Sequence, residues 1–235
     1  MTGEKPTLNL MVIRFPEEDG SVTLTAVPEA FPADDLLPPT PGFSAAKRRI
    51  FASAVALYGE RGFHAVSVRE IAQAHGLTPM ALYTHVKSTQ DLLFEIVQIG
   101  FETHRAALSA ALLDAGTDPI DQIRAVCEAH VRTHLRYAAL ARVTNREGHQ
   151  LDPRFDAQLE ILRREAVRSF YEVVDRGQRL GVFLDEDPVL ILQAVAGMGI
   201  RAPEWWTPES GLDAERVVRT FTNFAVSILT GGPTT

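Results

Sequence analysis

The sequence predicts an all-α fold, and two observations carry that prediction. From Ser44 onward, apolar residues recur at the three- and four-residue spacing that places them on one face of a helix. Ser, Thr and Asp residues that cap helix starts, several of them followed by Pro, precede these apolar segments. Together they predict a domain of three short helices in residues 44–105 and a larger helical domain in residues 106–235.

Residues 1–43 have a different composition from the rest of the chain. They hold seven of the 14 prolines, and the run Pro38-Pro39-Thr40-Pro41-Gly42 cannot continue a helix or a central strand. Two short β-prone runs, residues 9–15 and 21–27, flank a turn-like segment. This arm is therefore expected to be extended or a small hairpin, with a disordered acidic arm as the alternative.

Each helix of the first domain has its own start signal. Ser44 precedes the first helix, which is expected to end at Gly62. Ser67 and Glu70 have the spacing of a capping box, in which the hydroxyl and the carboxylate each accept a free backbone N–H. Thr78-Pro79 supplies a cap and a proline at the first helical position.

Turn signals also divide the second domain into helices. Ser88 begins a helix, expected to run to residue 113, that joins the two domains. Residues 153–180 carry an apolar stripe with charged pairs outside it, which predicts one continuous helix. The turn signals that precede apolar-periodic segments are Asp118-Pro119, Asp152-Pro153, Asp187-Pro188 and residues 208–213.

Residues 67–86 have the pattern of a helix-turn-helix. Two short helices flank Gly76-Leu77, and such a pair can place its second helix in a DNA major groove. Helix pairs with a glycine turn also occur in proteins that do not bind DNA, so a second observation is needed. The chain has a net charge of −7, yet residues 44–90 hold six Lys and Arg against two Asp and Glu. A basic segment in an acidic protein indicates a DNA-binding domain joined to a domain that does not bind DNA. We call the DNA-binding domain, residues 44–105, the head.

The head resembles the DNA-binding domain of the TetR family. That resemblance implies a regulator that binds a palindromic operator as a dimer and is usually released by a ligand in its C-terminal domain. A TetR-type activator, or a regulator without a small-molecule ligand, has the same head and stays open. The segments that carry the resemblance are Leu57-Tyr58-Gly59-Glu60-Arg61-Gly62-Phe63, Ser67-Val68-Arg69-Glu70-Ile71-Ala72 and Leu82-Tyr83-Thr84-His85-Val86-Lys87.

The resemblance makes the second helix of the motif, residues 78–85, the recognition helix. Apolar side chains there can touch a thymine methyl group, and hydroxyl or basic side chains can reach base edges or phosphates. Tyr83 packing against the core is the alternative to a phosphate contact. The expected DNA-binding residues are Lys47, Ser67, Arg69, Thr78, Met80, Ala81, Tyr83, Thr84, His85 and Lys87.

The second domain is expected to hold a small apolar ligand between its helices. Residues 145–148, with the Trp205-Trp206 pair, look similar to TetR-type regulators of steroid and fatty-acid breakdown that respond to acyl-CoA thioesters. An acyl-CoA thioester is therefore a candidate ligand, and two tryptophans that merely pack a loop are the alternative. The expected ligand-binding residues are His130, His134, Tyr137, Arg142, Asn145, Met198, Arg201 and Trp205.

The last two helices are expected to form the homodimer interface. Residues 189–200 are apolar around the whole circumference of a helix, so both of its faces must pack against other helices. The final helix carries an apolar stripe. In the family such helices pair with their symmetry mates, whereas the internal core of a monomer is the alternative. The expected interface residues are Leu192, Val195, Val217, Phe221, Phe224 and Ile228.

Several function classes find no support in the sequence. No glycine-rich phosphate loop, nucleophile elbow or His-Glu-His zinc motif occurs, so neither an enzyme nor a cofactor is expected. Cys127, His130 and His134 share a helix face at metal-compatible spacing, but polar lining of the cavity is the favoured interpretation and no metal is expected. Without a membrane-spanning or secretory pattern, the expected location is the cytoplasm.

Overall fold

The computed structural model describes residues 36–74, 76 and 78–232. Those residues contain no strand and fold into helices, which confirms the predicted fold class. The predicted hairpin runs and Leu77 lie outside the described residues. The α-helices are α1 (Ala45–Arg61), α2 (Val68–Gln73), α3 (Pro79–Leu82), α4 (Thr89–Asp114), α5 (Pro119–Arg136), α6 (Ala138–Glu147), α7 (Asp156–Arg179), α8 (Pro188–Trp205) and α9 (Ala214–Thr230).

The helix starts that the sequence predicts in the head are present. The Ser44 hydroxyl accepts the backbone N–H of Lys47 at 3.1 Å. Ser67 and Glu70 form the complete capping box. Gly62 ends α1 at a φ of +82°, a left-handed value that suits glycine, and its N–H bonds the carbonyl of Tyr58. These bonds span three or four residues, so local sequence is enough to place them.

The core of the head extends into the second domain. Helices α1, α2 and α4 bury a continuous apolar set, and α6 adds side chains to the same cluster. α6 therefore packs directly against the head. The residues at the centre of this cluster are Ile50, Phe51, Tyr58, Ile71, Ala72, Leu82, Leu92, Ile96, Leu140 and Val143.

Helix α5 lies at the centre of the second domain. It contacts α4, α7, α8 and α9, and its apolar face shares a second core with them. The Asp118 carboxylate caps its start by accepting the backbone N–H groups of Ile120 and Asp121. None of the described helices is long and apolar enough to cross a membrane.

Three boundaries differ from the sequence prediction. The helix is interrupted at Tyr137, between α5 and α6, although no glycine or proline marks that position in the sequence. Residues 153–180 begin with the 3-10 turn Pro153–Phe155 before α7 starts. Helix α8 continues beyond the apolar residues 189–200, through Pro203, and ends at Trp205. The break at Tyr137 lets α6 pack closely on α1, since a Cβ at Gly59 would lie 3.1 Å from the carbonyl oxygen of Ala139.

Candidate nucleic-acid interface and internal cavity

The helix-turn-helix separates its inward and outward side chains cleanly. Leu82 and Val86 are buried in the core of the head. Met80 is 76% exposed and Tyr83 46% exposed, and Thr84 is exposed beside them. Tyr83 therefore does not pack into the core. The apolar anchors fix the motif, and the exposed side chains form one outward surface at α3.

The recognition segment is a single α-helical turn that continues as tighter turns. Helix α3 ends at Leu82, and the N–H of Thr84 bonds the carbonyl of Ala81. The Thr78 hydroxyl accepts the N–H of Ala81 at 3.2 Å, and the Thr84 hydroxyl donates to the Ala81 carbonyl at 2.7 Å. Gly76 has a φ of +64° in the turn between the helices, as the motif requires.

The side chains of Ser67 and Lys47 each bind a carboxylate of the head itself. The Ser67 hydroxyl donates to Glu70 Oε2 at 2.8 Å, and the Ser67 hydrogen bonds lower the pKa of Glu70 to about 2. Lys47 Nζ lies 2.6 Å from Glu95 Oε2 and sits over the ring of Phe43. We therefore leave both residues out of the proposed DNA surface, although the sequence prediction included them.

The remaining predicted contacts lie on the accessible side of the head. Arg69 and Lys87 are exposed, and His85 is half-buried. Arg69 stands at the start of α2 and Lys87 just after the recognition segment. The helix-turn-helix therefore exposes two basic side chains, Arg69 and Lys87, in addition to Met80 and Thr84.

Five helices, α4 to α8, line a cavity of about 110 Å³ in the second domain. The lining side chains of α7 and α8 are all apolar, whereas α4, α5, Tyr137 and α6 supply every polar one. None of the described lining residues is Asp, Glu, Lys or Arg. The polar lining residues are Thr103, His104, Cys127, His130, Thr133, His134, Tyr137, Thr144 and Asn145.

Three histidines form a cluster on the polar wall. His104 Nε2 lies 2.8 Å from His130 Nδ1, and the rings of His130 and His134 are 4.4 Å apart at their centroids. Burial lowers the pKa of His104 to about 3, with a further contribution from His134. Burial also lowers the pKa values of His130 and His134, so all three rings are neutral at physiological pH.

Backbone carbonyls fix the tautomers of two of these rings. His130 Nε2 lies 3.0 Å from the carbonyl oxygen of Ala196, and His134 Nδ1 lies 2.9 Å from that of His130. Because a carbonyl only accepts, both nitrogens carry the hydrogen. His130 Nδ1 and His134 Nε2 therefore keep their lone pairs. The former accepts from His104 Nε2 and the latter from the Asn145 amide at 3.3 Å.

The structure brings only half of the predicted ligand residues to the cavity. His130, His134, Tyr137 and Asn145 line it. Arg142, Met198, Arg201 and Trp205 are not among its lining residues. Met198 packs against the second core, Arg201 is exposed, and Trp205 lies over Phe221 with 6.1 Å between ring centroids. Helical spacing alone does not say which face looks inward.

Arg142 connects the head to helix α8. Its Nε donates to the Gly59 carbonyl at 3.2 Å, and its Nη1 donates to the Pro203 carbonyl at 2.8 Å. Gly59 and Pro203 each lie in the last turn of a helix, where carbonyls lack intrahelical partners and attract a cation. Glu147, the last residue of α6, accepts the backbone N–H of Phe63 at 3.1 Å. Helix α6 is thus tied to the head through its middle and its C-terminal end.

An exposed apolar stripe runs along α8 and α9, but it differs from the predicted one. Leu192, Val195 and Val217 are buried within the chain, so they stabilise its own core. Phe224 is 53% exposed and Ile228 40% exposed, and both lie on one face of α9 with the half-buried Phe221. The exposed apolar residues that α8 contributes are Val189, Leu190, Ile200 and Trp205.

Two functional positions escaped the sequence prediction. His104 belongs to a helix remote in sequence from His130, so no local spacing connects them. Gly199 allows α8 to approach α5, since a Cβ there would lie 2.3 Å from His130 Nε2. A glycine inside an apolar helix indicates that another part of the chain packs closely against it, but the sequence does not show which part.

Comparison with known proteins identifies both parts of the chain. Residues 50–96 match the family described as bacterial regulatory proteins, tetR family, and residues 116–229 match the tetracyclin repressor-like C-terminal domain. The HTH-type transcriptional repressor KstR2 of Mycolicibacterium smegmatis is 25% identical over 203 residues, which are 85% of this chain and 96% of that protein. KstR2 of Rhodococcus jostii is 26% identical over 81% of this chain and 92% of that protein.

Solved structures agree on the fold. A regulatory protein of the tetR family from Rhodococcus RHA1 superposes with a TM-score of 0.75 at 26% identity, covering 82% of this chain and all of that one. AibR, solved with isovaleryl coenzyme A and operator DNA, gives a TM-score of 0.70 at 22% identity, over 79% of this chain and 98% of that one.

Proposed function

Because the chain belongs to the TetR family of bacterial regulatory proteins, we propose that it is a repressor that binds a palindromic operator as a homodimer and leaves it when a small apolar ligand enters the cavity. One observation supports this most directly. The internal cavity is bounded in part by α4 and α6, the two helices that also pack against the head. A change in the cavity can therefore alter how the two heads are spaced. We assign residues 44–105 to the head and residues 106–235 to the ligand and dimer domain, and place the protein in the cytoplasm with its operator.

The outward surface of α3 is the proposed DNA-reading surface. Met80, Ala81 and Thr84 project from the recognition segment toward base edges. Arg69, Tyr83, His85 and Lys87 are placed to contact the phosphate backbone, together with the Thr78 hydroxyl at the start of α3. Phosphate contacts position the protein, whereas base contacts select the sequence.

Lys87→Ala is expected to weaken binding to specific and non-specific DNA alike. A lost phosphate contact reduces the slope of log affinity against log salt by about one unit. Thr84→Ala should instead change the preference among operator variants, by about 1–3 kcal/mol if it removes a base contact. Fluorescence anisotropy at several salt concentrations, with operator and scrambled duplexes, measures both effects.

Arg164→Ala provides the matched control for charge. Arg164 is exposed on α7 and pairs with Glu160, far along the chain from the head. It should leave both the affinity and the salt slope unchanged. Equal slopes for Lys87→Ala and the unmodified protein would contradict the assignment of the head surface.

The cavity suits the apolar part of a ligand. Its α7 and α8 walls are apolar, and its polar wall offers neutral hydrogen-bonding groups without a charge. The nucleotide of an acyl-CoA thioester would have to lie outside, while a short or branched acyl group occupies the interior. The isovaleryl coenzyme A bound by AibR has this chemistry. A ligand that prefers the DNA-incompetent state about 100-fold supplies about 2.7 kcal/mol, enough to release the operator.

Ala166→Leu is expected to abolish the ligand response while operator binding survives. Ala166 is buried and lines the cavity, so the larger side chain fills space that an acyl group would need. Isovaleryl coenzyme A, longer acyl-CoA thioesters and free fatty acids should be titrated calorimetrically, with operator affinity measured alongside. If none binds the unmodified protein, or binding leaves operator affinity unchanged, the regulator acts without such a ligand.

A further inference from the structure

The three histidines of the cavity have the arrangement of metal ligands. One ring nitrogen from each of His104, His130 and His134 lies within 4.8 Å of the other two. Zinc–imidazole bonds are roughly 2.0–2.1 Å long, so two nitrogens bound to one tetrahedral ion stand roughly 3.3–3.4 Å apart. Small side-chain rotations would therefore close the site. Cys127, which the sequence grouped with His130 and His134, is not part of this cluster.

The hydrogen bonds around two rings favour ligation. Metal-binding histidines almost always donate their second N–H to a carbonyl or carboxylate, which orients the ring and fixes the tautomer. His130 does so through Nε2 to Ala196, and His134 through Nδ1 to the carbonyl of His130. Their lone pairs thus remain for an ion. His104 would move its hydrogen from Nε2 to Nδ1, so no proton need be lost.

We propose that His104, His130 and His134 bind a divalent transition-metal ion, with Zn²⁺ as the model, inside the cavity. Imidazole nitrogens suit zinc and its neighbours, whereas Ca²⁺ and Mg²⁺ favour carboxylate oxygens, and none of the described lining residues is Asp or Glu. Three protein ligands leave a fourth position open toward the cavity. Because none of the described lining residues is acidic, that position takes hydroxide or an anionic group of a bound molecule.

Close packing around His130 supports a built site. The ring fits against Gly199, where a Cβ would lie 2.3 Å from its Nε2. His130 is therefore held between α5 and α8, with its hydrogen-bonded edge toward α8.

Chelator-stripped full-length protein should bind one Zn²⁺ per chain in calorimetric titration with zinc chloride. Co²⁺ in its place should give the intense visible absorption of a four-coordinate ion, and azide should change that spectrum by entering the open position. His104→Gln and His134→Gln should each weaken Zn²⁺ binding by more than about 100-fold, since even the loss of an orienting group weakens it about 10–100-fold. Circular dichroism establishes that the variants fold.

His64→Gln combined with His149→Gln is the matched control. These exposed histidines both contact Gln150 and form a surface pair that an added metal could find. The control should bind Zn²⁺ as the unmodified protein does. Absence of the Co²⁺ spectrum, or binding that survives His104→Gln and is lost in the control, would overturn the proposal. The test reads metal binding directly, so its failure leaves the DNA-binding proposal untouched.

Discussion

Replacing Phe224 and Ile228 together by Glu is expected to convert the protein into a monomer that no longer holds its operator. Both side chains are exposed on one face of α9, beside the exposed apolar residues of α8. Monomeric proteins rarely expose a large apolar patch, and a two-fold axis would bury these side chains against their own copy. Two buried carboxylates on each partner would oppose that association.

A monomer loses operator binding because it lacks the second, linked head that a dimer offers. The second head of a dimer binds at a high effective concentration, which adds a factor of about 10²–10⁴ to the affinity. Monomers should bind the palindrome with the affinity of a single half-site. Analytical ultracentrifugation gives the mass, and anisotropy with full and half operators gives the affinities.

Leu113→Glu is the control for this prediction. Among the described residues Leu113 is the most exposed large apolar side chain, at 86%, but it lies at the end of α4 rather than on the stripe. It should leave the protein dimeric. A Phe224→Glu/Ile228→Glu protein that stays dimeric would place the interface elsewhere.

Arg142→Leu is expected to destabilise the protein by about 3 kcal/mol and to weaken the connection between head and body. The guanidinium makes two hydrogen bonds to backbone carbonyls, and bonds to a charged group contribute roughly 1.5–3 kcal/mol each. Leucine leaves the carbonyls of Gly59 and Pro203 without that partner. Since these belong to α1 and α8, the effect of a ligand on operator affinity should shrink as well.

Arg146→Leu separates this effect from the loss of a charge. Arg146 lies one turn further along α6 and makes an exposed 3.5 Å ion pair with Glu204, which contributes at most about 1 kcal/mol. Urea denaturation of the two variants compares them directly. If they unfold at the same urea concentration, Arg142 does not join the domains as described.

The starts of most helices could be predicted from the sequence alone. Ser44, the Ser67–Glu70 pair, Thr78 and Asp118 cap helices through bonds that span only two or three residues. The helix-turn-helix follows from the same local rules, because Leu82 and Val86 are apolar at positions that face the core. The outward position of Met80 and Thr84 then follows from helix geometry.

Tertiary structure alone decided which side chains meet. Leu192, Val195 and Val217 are apolar like Phe224, and only the packing of α8 and α9 on α5 shows that the first three are internal. The pairing of His104 with His130 likewise depends on how α4 crosses α5. Arg142 has the charge expected of a ligand contact, but α6 turns it toward two helix ends instead. Local sequence determines where a helix begins and which residues share a face, whereas the direction of that face is set by long-range burial and close approach of other helices.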